Sequence, residues 1–278
     1  MRAFSLLIVC FLSIPLLGQE NFFTLQDGTK LYVEVTGEGQ PMLFIPGWTM
    51  THRFFVQQKK HFSKDFQLIT YDPRGQGRAD KTTYQNNYAQ HAADLRELIV
   101  EKGWKDIVLV GWSSGCLTIY EYLKAYGSDR MAKLVFIDEP PKWIGDPEKE
   151  WVYGTFDGYR SSLKSMLSKP SDPNGIIDWM LNESIDSTAR SWMREEILMT
   201  PPHVALSLYI DGLACDYNDE VRKLSIPSLF MIRDSWYDYA RNWLNTNVPQ
   251  AKVKAITSHA MFWEQPQAFN EILSSFLQ

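Results

Sequence analysis

The nine residues 107–115 read Ile-Val-Leu-Val-Gly-Trp-Ser-Ser-Gly, a short apolar run that leads into a glycine-rich turn. The run is typical of a buried strand, and residues 114–126 carry a helical pattern that stops at Gly127. The turn has the form G-x-S-x-G, in which small residues let two backbone segments approach and hold the central serine with its hydroxyl exposed. We therefore interpret Ser113 as a candidate nucleophile, the alternative being a serine that only caps the helix.

Strand-like and helix-like segments alternate on both sides of this turn. Residues 22–25 and 30–35 predict an opening hairpin around Asp27-Gly28. Four short apolar runs of the buried-strand type follow, at residues 42–45, 67–71, 107–110 and 133–137, and two further segments read as strands, at residues 228–232 and 252–256. Helical patterns lie between most of them, so we predict an α/β fold with a mainly parallel sheet.

The alternation breaks at residue 139 and resumes at about residue 226. Between these points the chain holds proline-rich turns and four helix-like stretches, at residues 159–167, 176–182, 188–199 and 203–213. After it, residues 237–247 and 266–277 again have helical patterns. The simplest description is one domain over residues 20–278, with a helical insertion at about 139–226 between two halves of one sheet.

Residues 1–19 have the pattern of a secretory signal peptide. Arg2 supplies a positive start, an apolar run follows from position 3 to 17, and cleavage is expected after Gly18 or Gln19. The run is shorter than the roughly 20 residues that span a bilayer. We therefore expect an exported protein, periplasmic or extracellular, without a stable membrane anchor after signal removal; the alternative is an uncleaved anchor.

Composition excludes several classes of function. The formal charge is -5, from 28 basic and 33 acidic residues without a block of either sign, so we expect no nucleic-acid partner. No spacing of metal ligands and no phosphate-binding glycine loop is present, so we expect neither a metal nor a cofactor. The insertion is rich in aromatic residues, which favours an aromatic-lined cavity for a small-molecule substrate: Trp143, Trp151, Tyr153, Phe156, Tyr159, Trp179, Trp192 and Tyr209.

Five histidines are candidates for a base that would activate Ser113. Only His259 follows a late strand by a short loop, and it comes after the serine in the chain. For the other four we expect surface or capping positions: His52, His61, His91 and His203.

Three stretches of the chain resemble the α/β-hydrolase superfamily. They are Phe-Ile-Pro-Gly-Trp at residues 44–48, Tyr-Asp-Pro-Arg-Gly-Gln-Gly-Arg at residues 71–78, and the serine turn at 111–115 together with the His259 loop. The resemblance implies an eight-stranded, mainly parallel sheet flanked by helices, with the 139–226 insertion as a helical lid between the sixth and seventh strands. It also implies Ser113 as nucleophile and His259 as base.

The resemblance maps the oxyanion hole to the backbone N–H groups of Trp48 and Ser114. Relatives usually carry His-Gly where this chain has Pro46-Gly47, so the backbone donor is kept while a supporting hydrogen bond is absent.

The acidic partner of His259 has two candidates. Relatives usually place an aspartate after the strand at 228–232, within a Gly-x-x-Asp loop, but residues 233–238 here read Arg-Asp-Ser-Trp-Tyr-Asp and offer Asp234. Other relatives take the acid from the preceding strand, where Asp138 follows residues 133–137. Either carboxylate would orient the imidazole, and we favour Asp138.

The resemblance implies a serine hydrolase that cleaves a carboxylic ester, or a related acyl bond, through an acyl-enzyme at Ser113. The aromatic residues of the insertion favour a small and largely apolar substrate. Relatives that cleave carbon–halogen bonds or epoxides carry aspartate at this position, so Ser113 argues against both activities. The altered acid loop and Pro46 support an alternative from another class, a non-catalytic or very slow ligand-binding protein with the same fold.

Overall fold

The computed structural model describes residues 21–168 and 172–278, and within them eight strands form one sheet. The predicted signal peptide at residues 1–19 lies outside the described residues. In chain order the strands are β1 Phe22–Thr24, β2 Lys30–Thr36, β3 Gln40–Ile45, β4 Phe66–Asp72, β5 Ile107–Trp112, β6 Met131–Ile137, β7 Ser228–Arg233 and β8 Lys252–Ile256. Their order across the sheet is β1-β2-β4-β3-β5-β6-β7-β8.

Pairing within the sheet confirms the predicted architecture. Strands β3 to β8 pair in parallel, while β1 with β2 and β2 with β4 are antiparallel. Every residue of the central strand β5 is buried, as expected for a parallel strand covered on both faces. The sheet is therefore eight-stranded and mainly parallel.

Helices cover both faces of the sheet. In chain order the described helices are α1 Val56–Phe62, α2 Tyr88–Glu101, α3 Gly115–Tyr126, α4 Phe156–Ser168, α5 Pro173–Met180, α6 Ser187–Leu198, α7 Pro202–Ala214, α8 Asn218–Arg222, α9 Tyr237–Asn247, α10 Met261–Glu264 and α11 Pro266–Leu277. Short 3₁₀ turns precede α1 and α9, at His52–Phe55 and Asp234–Trp236. Sequence patterns did not indicate α1, α8 or α10, which are all seven residues or shorter.

Alternation along the strands divides the core into two clusters. Leu43 and Ile45 of β3 pack in the cluster that includes α2, α3 and α9, whereas Met42 and Phe44 pack in the cluster that includes α1 and α11. The same alternation runs through β5, β6 and β7. Because successive side chains of a strand point to opposite faces, these apolar runs bury both faces of the sheet at once.

The cap segment, residues 139–226, connects β6 to β7 and contains α4 to α8. Carboxylates cap two of its helices, since Asp172 accepts a hydrogen bond from Asn174 N and Asp186 accepts from Thr188 N and Ala189 N. None of the described helices is long and apolar enough to cross a membrane.

Candidate active site

Ser113 lies on the sharp turn between β5 and α3, with a φ of 53°. A Cβ on Gly115 would lie 2.6 Å from the carbonyl oxygen of Ile45, and one on Gly111 would lie 2.9 Å from Cys116 N. Both contacts are with backbone atoms, which have no room to move aside. The glycines of the motif therefore allow the turn to pack against its neighbours, and the turn holds Ser113 in the left-handed region that non-glycine residues rarely adopt.

Two backbone N–H groups beside Ser113 are available to a ligand oxygen. Trp48 and Ser114 line the same cavity as Ser113, and neither amide has a hydrogen-bond acceptor within residues 21–168 and 172–278. Gly47 allows the loop after β3 to come close, because a Cβ there would lie 3.0 Å from the Cβ of Ser113. The structure thus brings both predicted oxyanion-hole residues to the serine turn.

His259 lies between β8 and α10, where it is buried and lines the cavity that holds Ser113. Its Nδ1 is 2.6 Å from Oδ2 of Asp138. Because a carboxylate only accepts hydrogen bonds, Nδ1 carries the proton and Nε2 remains free to accept one. Burial lowers the pKa of His259, against the opposing effect of the Asp138 hydrogen bond.

Asp138 directly follows β6, with a φ of 54°, and its side chain is fully buried. Its Oδ1 accepts hydrogen bonds from Trp236 Nε1 at 2.8 Å and from the backbone N of Arg233 at 3.0 Å. Burial opposes ionisation of this carboxyl, but the hydrogen bond to His259 and the charge of Arg233 outweigh it and lower the pKa of Asp138. Asp234 begins a 3₁₀ turn and is exposed, so the structure brings Asp138 and not Asp234 to His259.

Arg233, which sequence reasoning missed, contacts both members of this pair. Its Nε lies 2.6 Å from Oδ2 of Asp138, at ion-pair distance although its N–H is not aimed at that oxygen. Its Nη2 lies 3.3 Å from Nδ1 of His259. The sequence signal that could have found it is its position at the carboxyl end of β7, beside β6, which Asp138 follows.

Glu139 is a second residue that the sequence did not indicate. It is buried, lines the cavity, and accepts hydrogen bonds from Trp143 Nε1 and, at 2.5 Å, from the hydroxyl of Tyr153. Burial raises the pKa of Glu139 to about 8, so the group is mainly protonated at neutral pH. Asp138 is therefore the charged carboxylate at this strand end.

The cavity has a volume of about 790 Å³ and aromatic walls. Five of the eight aromatic residues noted in the insertion line it: Trp143, Tyr153, Tyr159, Trp179 and Tyr209. Of the other three, Trp151 is fully buried, Phe156 is exposed and Trp192 lines a separate pocket. The described part of the chain contains no group of three His, Cys, Asp or Glu side chains arranged to hold a metal ion.

The remaining histidines are only partly where the sequence placed them. His61 and His203 are exposed, but the expected surface or capping position is wrong for His52 and His91, which are buried. His52 Nδ1 lies 2.8 Å from Asp72, and His91 Nε2 lies 3.0 Å from the carbonyl oxygen of Arg74. Both were missed because their burial depends on packing between distant segments.

Comparison with known proteins agrees with this architecture. A family model described as the alpha/beta hydrolase fold matches residues 40–164. A non-heme haloperoxidase of Rhodococcus erythropolis is 25% identical over 226 residues, which cover 77% of this chain and 81% of the relative. A pimeloyl-[acyl-carrier protein] methyl ester esterase of Vibrio atlanticus is 26% identical over 269 residues, covering 89% of this chain and 98% of the relative.

A solved esterase from Exiguobacterium antarcticum superposes with a TM-score of 0.84 at 22% sequence identity, covering 93% of this chain and 99% of that one. This likeness shows a shared fold over nearly the whole of both chains. With the sheet order, the serine turn and the family match taken together, the chain has the α/β-hydrolase fold.

Proposed function

We propose that this protein is a serine hydrolase that cleaves carboxylic esters of small, largely apolar substrates through an acyl-enzyme at Ser113. One observation carries the proposal: Ser113, on its strained turn, shares a cavity with His259, whose Nδ1 is 2.6 Å from the buried Asp138. A nucleophile, a base and an oriented acid are the groups that acyl transfer requires.

Each residue of the site has a part in the proposed reaction. The hydroxyl of Ser113 attacks the ester carbonyl carbon while Nε2 of His259 accepts the hydroxyl proton, and Asp138 stabilises the imidazolium. The N–H groups of Trp48 and Ser114 donate to the developing oxyanion, and each such donor typically contributes about a hundred- to a thousand-fold in rate. The ester C–O bond then breaks, and His259 returns its proton to the departing alcohol.

Water completes the cycle by the same steps. His259 removes a proton from water, the hydroxide attacks the acyl carbon, and the proton then goes to Ser113 as the acid is released. The reaction needs no redox partner or metal in either half.

The aromatic walls support an apolar substrate portion. The cap segment supplies most of these walls, and we propose that it acts as the lid over the site. Glu139 is mainly neutral at pH 7, so Arg233 and the rim carboxylate of Asp172 are the charged side chains lining the described cavity besides the titratable His259. The names of similar proteins, esterases among them, also favour ester hydrolysis. Since Asp138 meets His259, the altered acid loop no longer favours the non-catalytic alternative.

Labelling with a fluorophosphonate probe tests the proposal. We expect the wild type to be labelled, and labelling to be lost in Ser113→Ala and reduced by orders of magnitude in His259→Ala. A screen of esters with increasing acyl size then defines the substrate. Folded wild-type protein that resists the probe and hydrolyses none of the esters would contradict the proposal and favour a ligand-binding role.

We also propose that the protein is exported and that its predicted signal peptide is removed in the process. Expression of the full chain in a secreting bacterial host, followed by intact mass measurement, tests this. The expected mass lacks residues 1–18 or 1–19, and a full-length protein retained in the cytoplasm would contradict it.

A further inference from the structure

Arg233 is a cation fixed beside the hydrogen bond that joins His259 to Asp138. Its guanidinium approaches the same carboxylate oxygen that accepts from His259, at 2.6 Å from Nε, and its Nη2 lies 3.3 Å from Nδ1 of the imidazole. Nδ1 already carries the proton that it donates to Asp138. The contact between Nη2 and Nδ1 therefore places two donors side by side and is not a hydrogen bond.

Two indole rings hold the guanidinium in place. Arg233 lies 4.4 Å from the ring centroid of Trp179, on α5 of the cap segment, and 4.9 Å from that of Trp236. Its side chain is 14% exposed. A cation held between aromatic faces with little water around it has a fixed position and is weakly screened, so its charge acts strongly on neighbouring groups.

The charge of Arg233 acts against protonation of His259. When Nε2 takes up a proton, the ring becomes positive beside a guanidinium that is already positive. Asp138 opposes this effect, because its carboxylate favours the imidazolium. Arg233 and Asp138 therefore shift the protonation equilibrium of His259 in opposite directions.

Of the other titratable groups near this pair, the buried ones stay neutral in the acidic range, Glu264 is engaged elsewhere, and Asp172 lies at the exposed rim of the cavity. Burial raises the pKa of Glu139 to about 8, and it raises the pKa of Cys116 and of Tyr153 well above their ordinary values. Glu264 on α10 accepts a hydrogen bond from Ser258. The titratable and charged side chains on the elements around His259 are Asp138 and Glu139 after β6, Arg233 of β7, Cys116 of α3, Glu264 of α10, and Tyr153, Tyr159 and Asp172 of the cap segment.

We propose that Arg233 is a positioning residue that keeps His259 in its neutral, proton-accepting form to lower pH than Asp138 alone would allow. The inference rests on the proposed function, in which His259 is the base. An enzyme of this kind retains ester hydrolysis into the acidic range.

The test is the pH profile of kcat/KM between pH 5 and 9, measured with an ester that the wild type hydrolyses. Arg233→Gln removes the charge, and we expect its acidic limb to move to higher pH, so that kcat/KM at pH 5.5 relative to pH 8.5 falls at least about threefold. Arg233→Lys keeps the charge and should retain a profile close to that of the wild type.

Matched variants separate this effect from general damage. Arg241→Gln removes a cation from the exposed face of α9, where Arg241 pairs with Asp238 at 3.7 Å, and its profile should not move. If Arg233→Gln does not fold, Arg233→Met is the second neutral variant, with folding checked by thermal unfolding. An equal fall of kcat/KM at every pH, in both the neutral and the lysine variants, would indicate a merely structural role and overturn the proposal.

The two proposals fail in different ways. Ester hydrolysis retained in Ser113→Ala would contradict the proposed function itself. A Ser113-dependent activity whose acidic limb is the same with and without Arg233 would overturn only the role of Arg233.

Discussion

The indole Nε1 of Trp112 donates a 2.8 Å hydrogen bond to the backbone carbonyl oxygen of His259. Trp112 is the last residue of β5 and directly precedes Ser113, so this bond joins the segment that carries the nucleophile to the loop that carries the base. Both residues are buried. The relative placement of the two side chains therefore depends on a contact between residues 147 positions apart.

Trp112→Phe should loosen this placement. We expect a loss of about 1–3 kcal/mol in the free energy of unfolding, since the buried carbonyl oxygen loses its donor, and a larger relative fall in kcat than in substrate affinity. Trp151→Phe is the matched control, because Trp151 is fully buried but its Nε1 has no hydrogen-bond partner among the described residues. Chemical denaturation and steady-state kinetics measure both effects; equal kcat in the two variants would contradict this expectation.

Asp138→Asn should reduce kcat by roughly a thousand- to ten-thousand-fold, since an amide in place of the carboxylate no longer holds the imidazole in the Nδ1–H form. The matched variant is Asp234→Asn, which changes an exposed residue of the 3₁₀ turn and should leave kcat within about twofold of the wild type. Burst-phase and steady-state assays with one ester measure kcat for the two variants and the wild type. The reverse order of effects would show that Asp234 is the acid in solution.

Glu139 should make stability depend on pH. Its pKa in the folded protein, about 8, lies above the ordinary value of 4.5, so the folded state keeps a proton that the unfolded state has lost. The stability that this group contributes is thus fully present below pH 4.5 and is lost as the pH rises to about 8.

Glu139→Gln removes this dependence. We expect the difference in Tm, variant minus wild type, to be more positive at pH 8.5 than at pH 5. Thermal unfolding at the two pH values measures the difference, with Glu148→Gln as the control at an exposed position of the same cap segment. A difference that is constant with pH would mean that Glu139 is ionised in the folded protein.

Gly115→Ala should destabilise the fold by about 1–3 kcal/mol or more and reduce activity with it. The added Cβ would lie 2.6 Å from the carbonyl oxygen of Ile45 and 2.8 Å from that of Pro46, so β3 or the serine turn must shift. The same substitution at Gly158, in α4, meets nothing closer than 3.6 Å and should stabilise the helix by up to about 1 kcal/mol. Urea unfolding of the two variants checks the opposite signs.

Local patterns were sufficient to predict the eight strands and the longer helices. Each of the four apolar runs from 42–45 to 133–137 lies within a strand of the structure, because a strand buried on both faces needs an uninterrupted apolar segment. The serine turn was equally readable, since its constraint is the small size of residues that are neighbours in sequence. Short helices such as α1 escaped prediction because seven residues are too few to show a clear periodicity.

The sequence by itself determined the order of strands and helices, the turn that presents Ser113, and the loop that carries His259, because these features depend on residues adjacent in the chain. Only the tertiary structure distinguished Asp138 from Asp234 and brought Arg233 into the site. The physical reason is the register between β6 and β7, in which Ile137 pairs with Met231 and Asp138 N donates to Met231 O at 2.8 Å. That register places the carboxylate of Asp138 beside His259, whereas Asp234 follows the end of β7 and is exposed to solvent.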